Sequence, residues 1–454
     1  MGCTGVMRAW SEETECSTWW ASYRKTADLN RWTCHGRAGM FRSPVASGHD
    51  LPHFAETVLR PVRHRRPAPL TGPDVVSPAE LALALVNARS VSGTEAPLAD
   101  AVQEALSRLP HLEVLRHGNT VVARTHLGRS ERVVIAGHLD TVPVSLRTDN
   151  VPGRLERREG GEVIWGRGSV DMKGGVAAAL HLAATLSAPR RDVTWVFYDN
   201  EEVTSDLNGL GLTLQAHPDW LEADFAVLGE PTGAQIEGGC NGTLRIYLTV
   251  HGTAAHSGRA WRGVNAVHAA APIIERAANA PVREVEVDGL TYRESLSVVS
   301  IEAGVATNTI PDRCRIGVNY RFAPDLAADE ALARALRILA GLPADGVEVP
   351  DGDAELPVIT AGTGRVDVVV DDLSPAARPG LDSPLAAELV EAVRARGGGI
   401  GPKYGWTDVA RFSAAGVPAV NLGPGDPVLC HTDDEHCPVD QIDSVASILR
   451  DWLA

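Results

Sequence analysis

The 454-residue sequence predicts an α/β fold, in which a mostly parallel sheet with helices on both faces is interrupted by a smaller inserted domain. Short apolar runs typical of buried strands alternate with helical segments, which favours a parallel sheet covered on both faces. Motifs rich in His, Asp and Glu follow several of those strands. From about residue 244 the order changes to βαββαβ, which is typical of a ferredoxin-like domain.

Ordered structure is predicted to begin at Ser77, because Ser-Pro-Ala-Glu (77–80) is a capping-box helix start. The first domain then continues with helices at 81–86 and 96–109, a strand at 132–136, a helix at 173–187, and strands at 193–198 and 224–228. Ligands of such sheets gather beyond the carboxyl ends of the strands, and the polar motifs fall there.

The inserted domain is predicted from strands at 244–250, 296–303, 313–322 and 365–371 and helices at 263–278 and 326–340. The first domain resumes with a helix at 384–396, a strand at 419–422 and a helix at 439–453. We therefore expect residues 73–243 and 375–454 to form a catalytic domain, and residues 244–374 to form an inserted dimerisation or lid domain.

Composition narrows the function classes. The net charge of −16 makes a nucleic-acid partner a poor fit. No run approaches 18 apolar residues, so we expect no membrane span. The seven cysteines are odd in number and lack zinc-finger spacing, which favours free thiols in a reducing compartment. Residues 1–10 lack a signal pattern, so we expect a cytoplasmic location.

Residues 1–72 differ from the rest: they are basic and show no sustained period. A basic tail for a partner is one interpretation. A disordered extension, or a start codon assigned too far upstream, is the interpretation we favour, and we assign this segment no function.

Five motifs carry candidate metal ligands: Gly-His-Leu-Asp (137–140), Gly-Ser-Val-Asp (168–171), Asp-Asn-Glu-Glu (199–202), Gly-Glu-Pro-Thr (229–232) and Cys-His-Thr (430–432). Two histidines and three carboxylates can hold two divalent ions if one carboxylate bridges them, which indicates metal-assisted hydrolysis. Carboxylate and imidazole ligands fit zinc, and manganese or cobalt would also fit.

Each motif taken alone has an ordinary alternative. His138 would be a surface loop histidine, but Asp140 two residues later can accept its second N–H. Asp171 would cap the following helix, although a carboxylate can also bridge two cations. Neighbouring side chains diverge on extended backbone, so one of Glu201 and Glu202 can be a ligand while the other acts as a base; the alternative is a solvated acidic turn.

Candidates for substrate contact lie in the predicted inserted domain. His256 is far along the chain from the other ligands, which suggests a substrate or oxyanion role. Arg321 and Arg259 could bind carboxylates bidentately, and a surface ion pair is the alternative for each. Asn308 is a further candidate for substrate binding.

Taken together in this order, the five motifs resemble those of the dizinc metallopeptidases and amidohydrolases, the family of acetylornithine deacetylase and aminoacylase. The resemblance runs from about Ser77 to Ala454. It implies one zinc ion held by His138 and Glu230 and a second held by Glu202 and His431, with Asp171 bridging the two.

The resemblance also implies further features. Glu201 would be the general base and Asp140 the partner of His138. The peptide bond after Asp171 would be cis, although no proline follows. The chain would form a homodimer through the inserted domain, and His256 would stabilise the oxyanion in the partner subunit's site.

Within the family, residues 207–211, 239–245, 256–261 and 423–427 resemble the succinyl-diaminopimelate desuccinylases of actinobacteria. The implied reaction is hydrolysis of N-succinyl-LL-2,6-diaminopimelate in lysine biosynthesis. One rival class is another deacylase or dipeptidase of the family, acting on N-acetylornithine or another N-acyl amino acid. The other is a non-catalytic relative, which the presence of every ligand and the base disfavours.

Overall fold

The computed structural model describes residues 76–344, 357–362 and 364–454. The predicted extension at 1–72 lies outside these residues. The α-helices are α1 (Pro78–Asn87), α2 (Ala96–Ser107), α3 (Gly174–Thr185), α4 (Gly209–Ala216), α5 (Ala266–Ala278), α6 (Ala328–Ala340), α7 (Pro384–Arg394), α8 (Val409–Ala414) and α9 (Val439–Leu453). Within the described ranges, no helix has the length and apolar character that a membrane span needs.

The strands follow the same order along the chain. They are β1 (Glu113–His117), β2 (Thr120–Arg124), β3 (Arg132–His138), β4 (Arg154–Arg158), β5 (Gly161–Trp165), β6 (Asp192–Tyr198), β7 (Phe225–Leu228), β8 (Ile236–Gly238), β9 (Gly242–His251), β10 (Ala255–His256), β11 (Glu284–Val287), β12 (Leu290–Arg293), β13 (Ser295–Ala303), β14 (Thr309–Ile310), β15 (Arg313–Phe322), β16 (Thr360–Ala361), β17 (Gly364–Arg365), β18 (Asp367–Ser374), β19 (Ile400–Pro402), β20 (Ala419–Asn421) and β21 (His436–Pro438).

An eight-stranded sheet in the order β1-β2-β6-β3-β7-β20-β8-β19 forms the larger layer. Strands β6, β3, β7 and β20 run parallel in its middle. The hairpin β1–β2 adds an antiparallel edge beside β6, and β8 pairs antiparallel with β20. The predicted mostly parallel sheet is confirmed, and its antiparallel strands are additions that the sequence pattern did not predict.

Helices cover both faces of this sheet because the buried strands send alternate side chains to opposite sides. In β6, Trp195 and Phe197 belong to the core that includes α3 and α9. Val196 and Tyr198 belong instead to the core that includes residues of α4 and α8. Every residue of β6 is buried, which explains its continuous apolar run.

A separate four-stranded antiparallel sheet, in the order β13-β15-β9-β18, packs against α5 and α6 around its own core. The chain order β9-α5-β13-β15-α6-β18 is the predicted βαββαβ order. The hairpin β11–β12 was not predicted. The domain boundaries between residues 72 and 73, 243 and 244, and 374 and 375 stay predictions.

Candidate active site

The C-terminal ends of three neighbouring strands place candidate metal-ligand side chains at one edge of the large sheet. His138 is the last residue of β3, and Glu230 lies two residues beyond β7. Glu202 lies four residues beyond β6, after a turn at Asn200 with φ of 57°. Because β6, β3 and β7 run parallel side by side, their ends bring these side chains together.

Asp171 lies between the two histidines. His138 Nε2 is 3.1 Å from Asp171 Oδ1, and His431 Nε2 is 3.3 Å from Asp171 Oδ2. His431 Nε2 is also 2.9 Å from Glu202 Oε1. The peptide bond from Asp171 to Met172 is cis, as the sequence resemblance implied. One carboxylate thus faces a histidine with each oxygen.

Three overlapping groups of ligand atoms lie within 4.8 Å of one another: His138 with Asp171 and Glu230, Asp171 with Glu202 and His431, and His138 with Glu201 and Glu202. The first two groups share Asp171, so the arrangement fits two cations bridged by one carboxylate. The imidazole and carboxylate donors fit zinc, and manganese or cobalt would also fit.

The charge balance of the cluster also fits cations. Burial, followed by the charge of Asp171, raises the pKa of Glu230 to about 8. Hydrogen bonds to Asp171 and Glu202 raise the pKa of His431 to about 10. The protein alone therefore holds protons at positions where ligands must be deprotonated to bind a metal.

Asp140 is buried and receives several donors. Its Oδ1 accepts the backbone N–H of Glu201 and its Oδ2 that of Glu202, both at 3.1 Å, and Ser92 Oγ donates to Oδ2 at 2.7 Å. His138 Nδ1 lies 3.4 Å from Oδ1 and 3.1 Å from the Asp140 carbonyl oxygen. Asp140 therefore connects the His138 ring to the Glu201–Glu202 turn.

Glu201 lies beside the ligands with an elevated proton affinity. Burial and the charges of Asp408, Glu230 and Glu202 raise its pKa well above the usual value, although the charge of His138 opposes this shift. Its side chain stays partly exposed. A carboxylate that holds a proton tightly beside a cation site can accept one from water.

The sequence prediction missed Glu435, which supports the Asp171 loop. The Glu435 carboxylate is buried, accepts the N–H of Val170 at 3.1 Å and of Asp171 at 3.2 Å, and pairs with Arg167 at 2.6 Å. Its sequence context, Asp-Asp-Glu (433–435), is typical of a solvated acidic turn. The only available signal was its position four residues after His431.

Two buried lysines were also missed. Lys173 Nζ donates to the carbonyl oxygens of Leu85 at 3.0 Å and Ala88 at 2.7 Å, which ties the Asp171 loop to the end of α1. Lys403 Nζ donates to the Pro231 carbonyl oxygen at 2.7 Å, next to Glu230, and pairs with Glu237 at 2.9 Å. Both residues anchor backbone that carries ligands.

A glycine contact explains the Lys-Gly-Gly sequence at the start of α3. A Cβ atom on Gly175 would lie 2.1 Å from the carbonyl oxygen of Gly229. The helix therefore packs backbone to backbone against the loop that carries Glu230. Only glycine permits that approach.

The predicted substrate-binding residues lie outside the eight-stranded sheet, in or near the smaller sheets of the predicted inserted domain. His256 is exposed and belongs to β10, which pairs with β14, and the N–H of Ser257 donates to the Asn308 carbonyl oxygen at 2.8 Å. Arg259 is exposed in the short helical turn that follows. Among the described residues, no hydrogen bond or ion pair joins these side chains to the metal-ligand cluster.

Arg321 lies on β15, opposite Thr243 of β9, and is half-buried. Burial lowers the pKa of its guanidinium. Within the described ranges its guanidinium has no ion pair or hydrogen bond. A half-buried cation without a partner remains available for an anionic ligand.

The fold and the site together have the layout of a two-metal hydrolase: a parallel α/β sheet, ligands at its strand ends and an inserted second domain. The family model described as peptidase family M20/M25/M40 matches residues 134–454. The chain belongs to this family.

Two relatives extend the comparison. The chain is 47% identical over 377 residues to a putative succinyl-diaminopimelate desuccinylase of Mycobacterium tuberculosis, covering 83% of this chain and 98% of the relative. It is 44% identical over 382 residues to a succinyl-diaminopimelate desuccinylase of Corynebacterium glutamicum, covering 83% and 96%.

Solved structures share the fold. An M20 family metallo-carboxypeptidase from Sulfolobus solfataricus matches with a TM-score of 0.64 at 16% identity, covering 83% of this chain and 98% of that one. A tripeptidase from Staphylococcus aureus matches with a TM-score of 0.62 at 20% identity, covering 82% and 95%. These likenesses agree with the predicted α/β fold and its inserted domain.

Proposed function

We propose that this protein hydrolyses the amide bond of N-succinyl-LL-2,6-diaminopimelate to give succinate and LL-2,6-diaminopimelate, a step of lysine and diaminopimelate biosynthesis. The observation that carries the proposal is a set of side chains that could hold two cations, with Glu201 beside them. The chain is also 44% to 47% identical to a succinyl-diaminopimelate desuccinylase and a putative one. A cytoplasmic location stays a prediction.

The proposed ligands divide between two zinc ions. His138 and Glu230 would hold one, Glu202 and His431 the other, and Asp171 both. This division is supported by the 3.1 Å and 3.3 Å distances from Asp171 to the two histidines. When bound, two such ions polarise the scissile carbonyl and activate water for attack.

Glu201 would take the proton from the attacking water and return it to the leaving amine. Its position beside both groups of candidate ligands supports this role, and burial raises the pKa of its carboxyl in the metal-free protein. Asp140 would hold the His138 ring in place and, through the N–H groups of Glu201 and Glu202, fix the turn that presents the base.

The proposed substrate carries three carboxylates and one ammonium group, so it needs cationic contacts besides the metal ions. Arg321 is our main candidate, since its half-buried guanidinium has no partner among the described residues. Arg259 and Asn308 are further candidates. They lie near His256, whose proposed role is to stabilise the oxyanion.

We further propose a homodimer formed through the inserted domain. Strand β13 is an edge of its sheet, since in the described part of the chain it pairs only with β15. Val299 and Ile301 on this strand are 60% and 51% exposed. An apolar sheet edge is a common template for pairing with a second chain. His256 would then act in the partner subunit's site.

The test is a turnover assay of zinc-loaded protein with N-succinyl-LL-2,6-diaminopimelate, N-acetylornithine and simple dipeptides. We expect the succinylated substrate to give the highest kcat/KM. Preference for another substrate would reassign the enzyme within its family, and no turnover of any would indicate a non-catalytic relative.

The Glu201→Gln variant tests the mechanism in the same assay. The amide keeps the shape of the side chain but cannot accept the proton, so turnover should fall by about 10²–10⁴-fold or more while zinc content stays unchanged. Near-normal turnover would show that Glu201 is not the base.

A further inference from the structure

A short link between α1 and α2 forms hydrogen bonds with the backbone of the proposed metal site, although it contains none of the candidate ligands. This link, residues 90–95, lies outside the 134–454 stretch that the family model matches. Ser90 Oγ donates to the Leu139 carbonyl oxygen at 2.6 Å. The N–H of Thr141 donates to the Ser90 carbonyl oxygen at 3.0 Å. The N–H of Ser92 donates to the Thr141 carbonyl oxygen at 3.1 Å.

Within this link, Ser92 contacts the carboxylate of Asp140, which faces His138. Its hydroxyl donates to Asp140 Oδ2 at 2.7 Å, and a second acceptor, the Thr141 carbonyl oxygen, lies farther away at 3.4 Å. The same Oδ2 accepts the N–H of Glu202. The hydroxyl therefore helps fix the rotation of the carboxylate that faces His138 Nδ1.

Glu95 connects the same link to the residue before the proposed base, Glu201. Its fully buried carboxylate accepts the N–H of Gly93 at 2.9 Å and the N–H of Asn200 at 3.3 Å through Oε1. Asn200 has the left-handed φ of 57° and directly precedes Glu201. Asparagine adopts this conformation more readily than most residues, and the hydrogen bond to Glu95 fixes it here.

We propose that Ser90, Ser92 and Glu95 position the metal-site backbone, and that the Ser92 hydroxyl sets zinc affinity by fixing the Asp140 carboxylate against His138. Groups that orient a metal-binding histidine through its second nitrogen typically change metal affinity 10- to 100-fold when removed. Ser92 acts one contact farther out, on the carboxylate that orients the ring. This inference rests on the proposed two-zinc site.

The experiment measures zinc affinity of the purified full chain by competition with a chromophoric chelator, so it does not depend on turnover. Ser92→Ala removes the hydroxyl, and Ser92→Thr keeps one. Thr94→Ala is the matched control, because Thr94 Oγ1 donates only to the Val91 carbonyl oxygen, at 2.6 Å within the same link. Melting of the metal-free proteins reports any general loss of structure.

We expect Ser92→Ala to weaken binding of at least one zinc ion by about tenfold, while Thr94→Ala binds normally and Ser92→Thr regains most of the affinity. Unchanged affinity in Ser92→Ala, or an equal loss in Thr94→Ala, would overturn the inference. If Ser92→Ala does not fold, Ser92→Gly replaces it, since glycine also lacks the hydroxyl, and normal affinity there would also overturn the inference. Failure of the unmodified chain to bind two zinc ions would instead refute the proposed site.

Discussion

The buried Arg167–Glu435 pair offers a quantitative test of how the Asp171 loop is held. The Glu435→Gln substitution keeps the side-chain volume and removes its charge. In the structure one carboxylate oxygen faces the N–H groups of Val170 and Asp171, and the other faces the Arg167 guanidinium. Whichever way the new amide is turned, its NH₂ group meets a donor.

The burial of both side chains determines how much free energy of unfolding the substitution should cost. The side chains of Arg167 and Glu435 are 5% and 1% exposed, so water cannot replace the lost acceptor. Breaking one side of a buried pair costs about 3–5 kcal/mol. The exposed pair of Arg108 and Glu104 has side chains 50% and 58% exposed, and such helical pairs contribute about 0.3–0.5 kcal/mol.

The assay compares urea unfolding of metal-free Glu435→Gln, Glu104→Gln and the unmodified chain. We expect the free energy of unfolding to fall by about 3–5 kcal/mol in the first variant and by less than 1 kcal/mol in the second. Zinc affinity should fall in Glu435→Gln alone, because either the Asp171 backbone or the Arg167 guanidinium beside it loses an acceptor. A loss in Glu435→Gln no larger than in Glu104→Gln would refute the reasoning.

Three further predictions follow from the site and the inserted domain. Arg321→Ala should lower kcat/KM for the succinylated substrate more than tenfold, since a desolvated charged contact is worth about 2–5 kcal/mol; Arg313→Ala, an exposed residue of the same strand, is the control, and equal effects would remove Arg321 from the substrate site. Mixed dimers of inactive His256→Ala and Glu201→Gln chains should recover activity once subunit exchange is demonstrated, and no recovery would exclude a site shared between subunits. Zinc binding should strengthen as pH rises from 6 to about 10, because Glu230, with a pKa raised to about 8, and His431, with a pKa raised to about 10, must each lose a proton to bind. Calorimetry in buffers of different ionisation enthalpy should detect the released protons, and affinity independent of pH would contradict the assignment.

The central helices and strands were predictable because the spacing of apolar residues within each segment indicates its secondary structure. The strand Arg313–Phe322 and the helix Val439–Leu453 begin and end where the sequence predicted, and the predicted strand at 132–136 extends two residues further to include His138. The missed elements are short or exposed. The strand Arg154–Arg158 is mostly charged and pairs with only one neighbour, so no apolar alternation marks it.

The residues of the candidate site also fall into those that the sequence predicted and those that it did not. Its candidate ligands could be named from the sequence because each lies in a short motif, three of them at the ends of β3, β6 and β7. Glu435, Lys403 and Ser92 could not, since their role depends on contacts with residues distant in the chain: the Asp171 backbone, Pro231 and Asp140. No local pattern separates a buried supporting carboxylate or lysine from a solvated one, because burial is decided by tertiary packing.

The charge of the cluster explains why these supports are needed. Asp171, Glu201, Glu202 and Glu230 converge at one sheet edge, and their mutual repulsion and burial raise the pKa of three of them. Two divalent cations would balance the four carboxylates, so metal binding should contribute to the stability of the folded chain as well as to catalysis. In the metal-free protein, the contacts of His138 and His431 with Asp171 and Glu202 oppose that repulsion within the cluster, and contacts from outside the cluster add to them. The buried Arg167–Glu435 pair, with its hydrogen bond to the Asp171 backbone, is such an outside contact: it holds the loop that carries Asp171 in place without a cation.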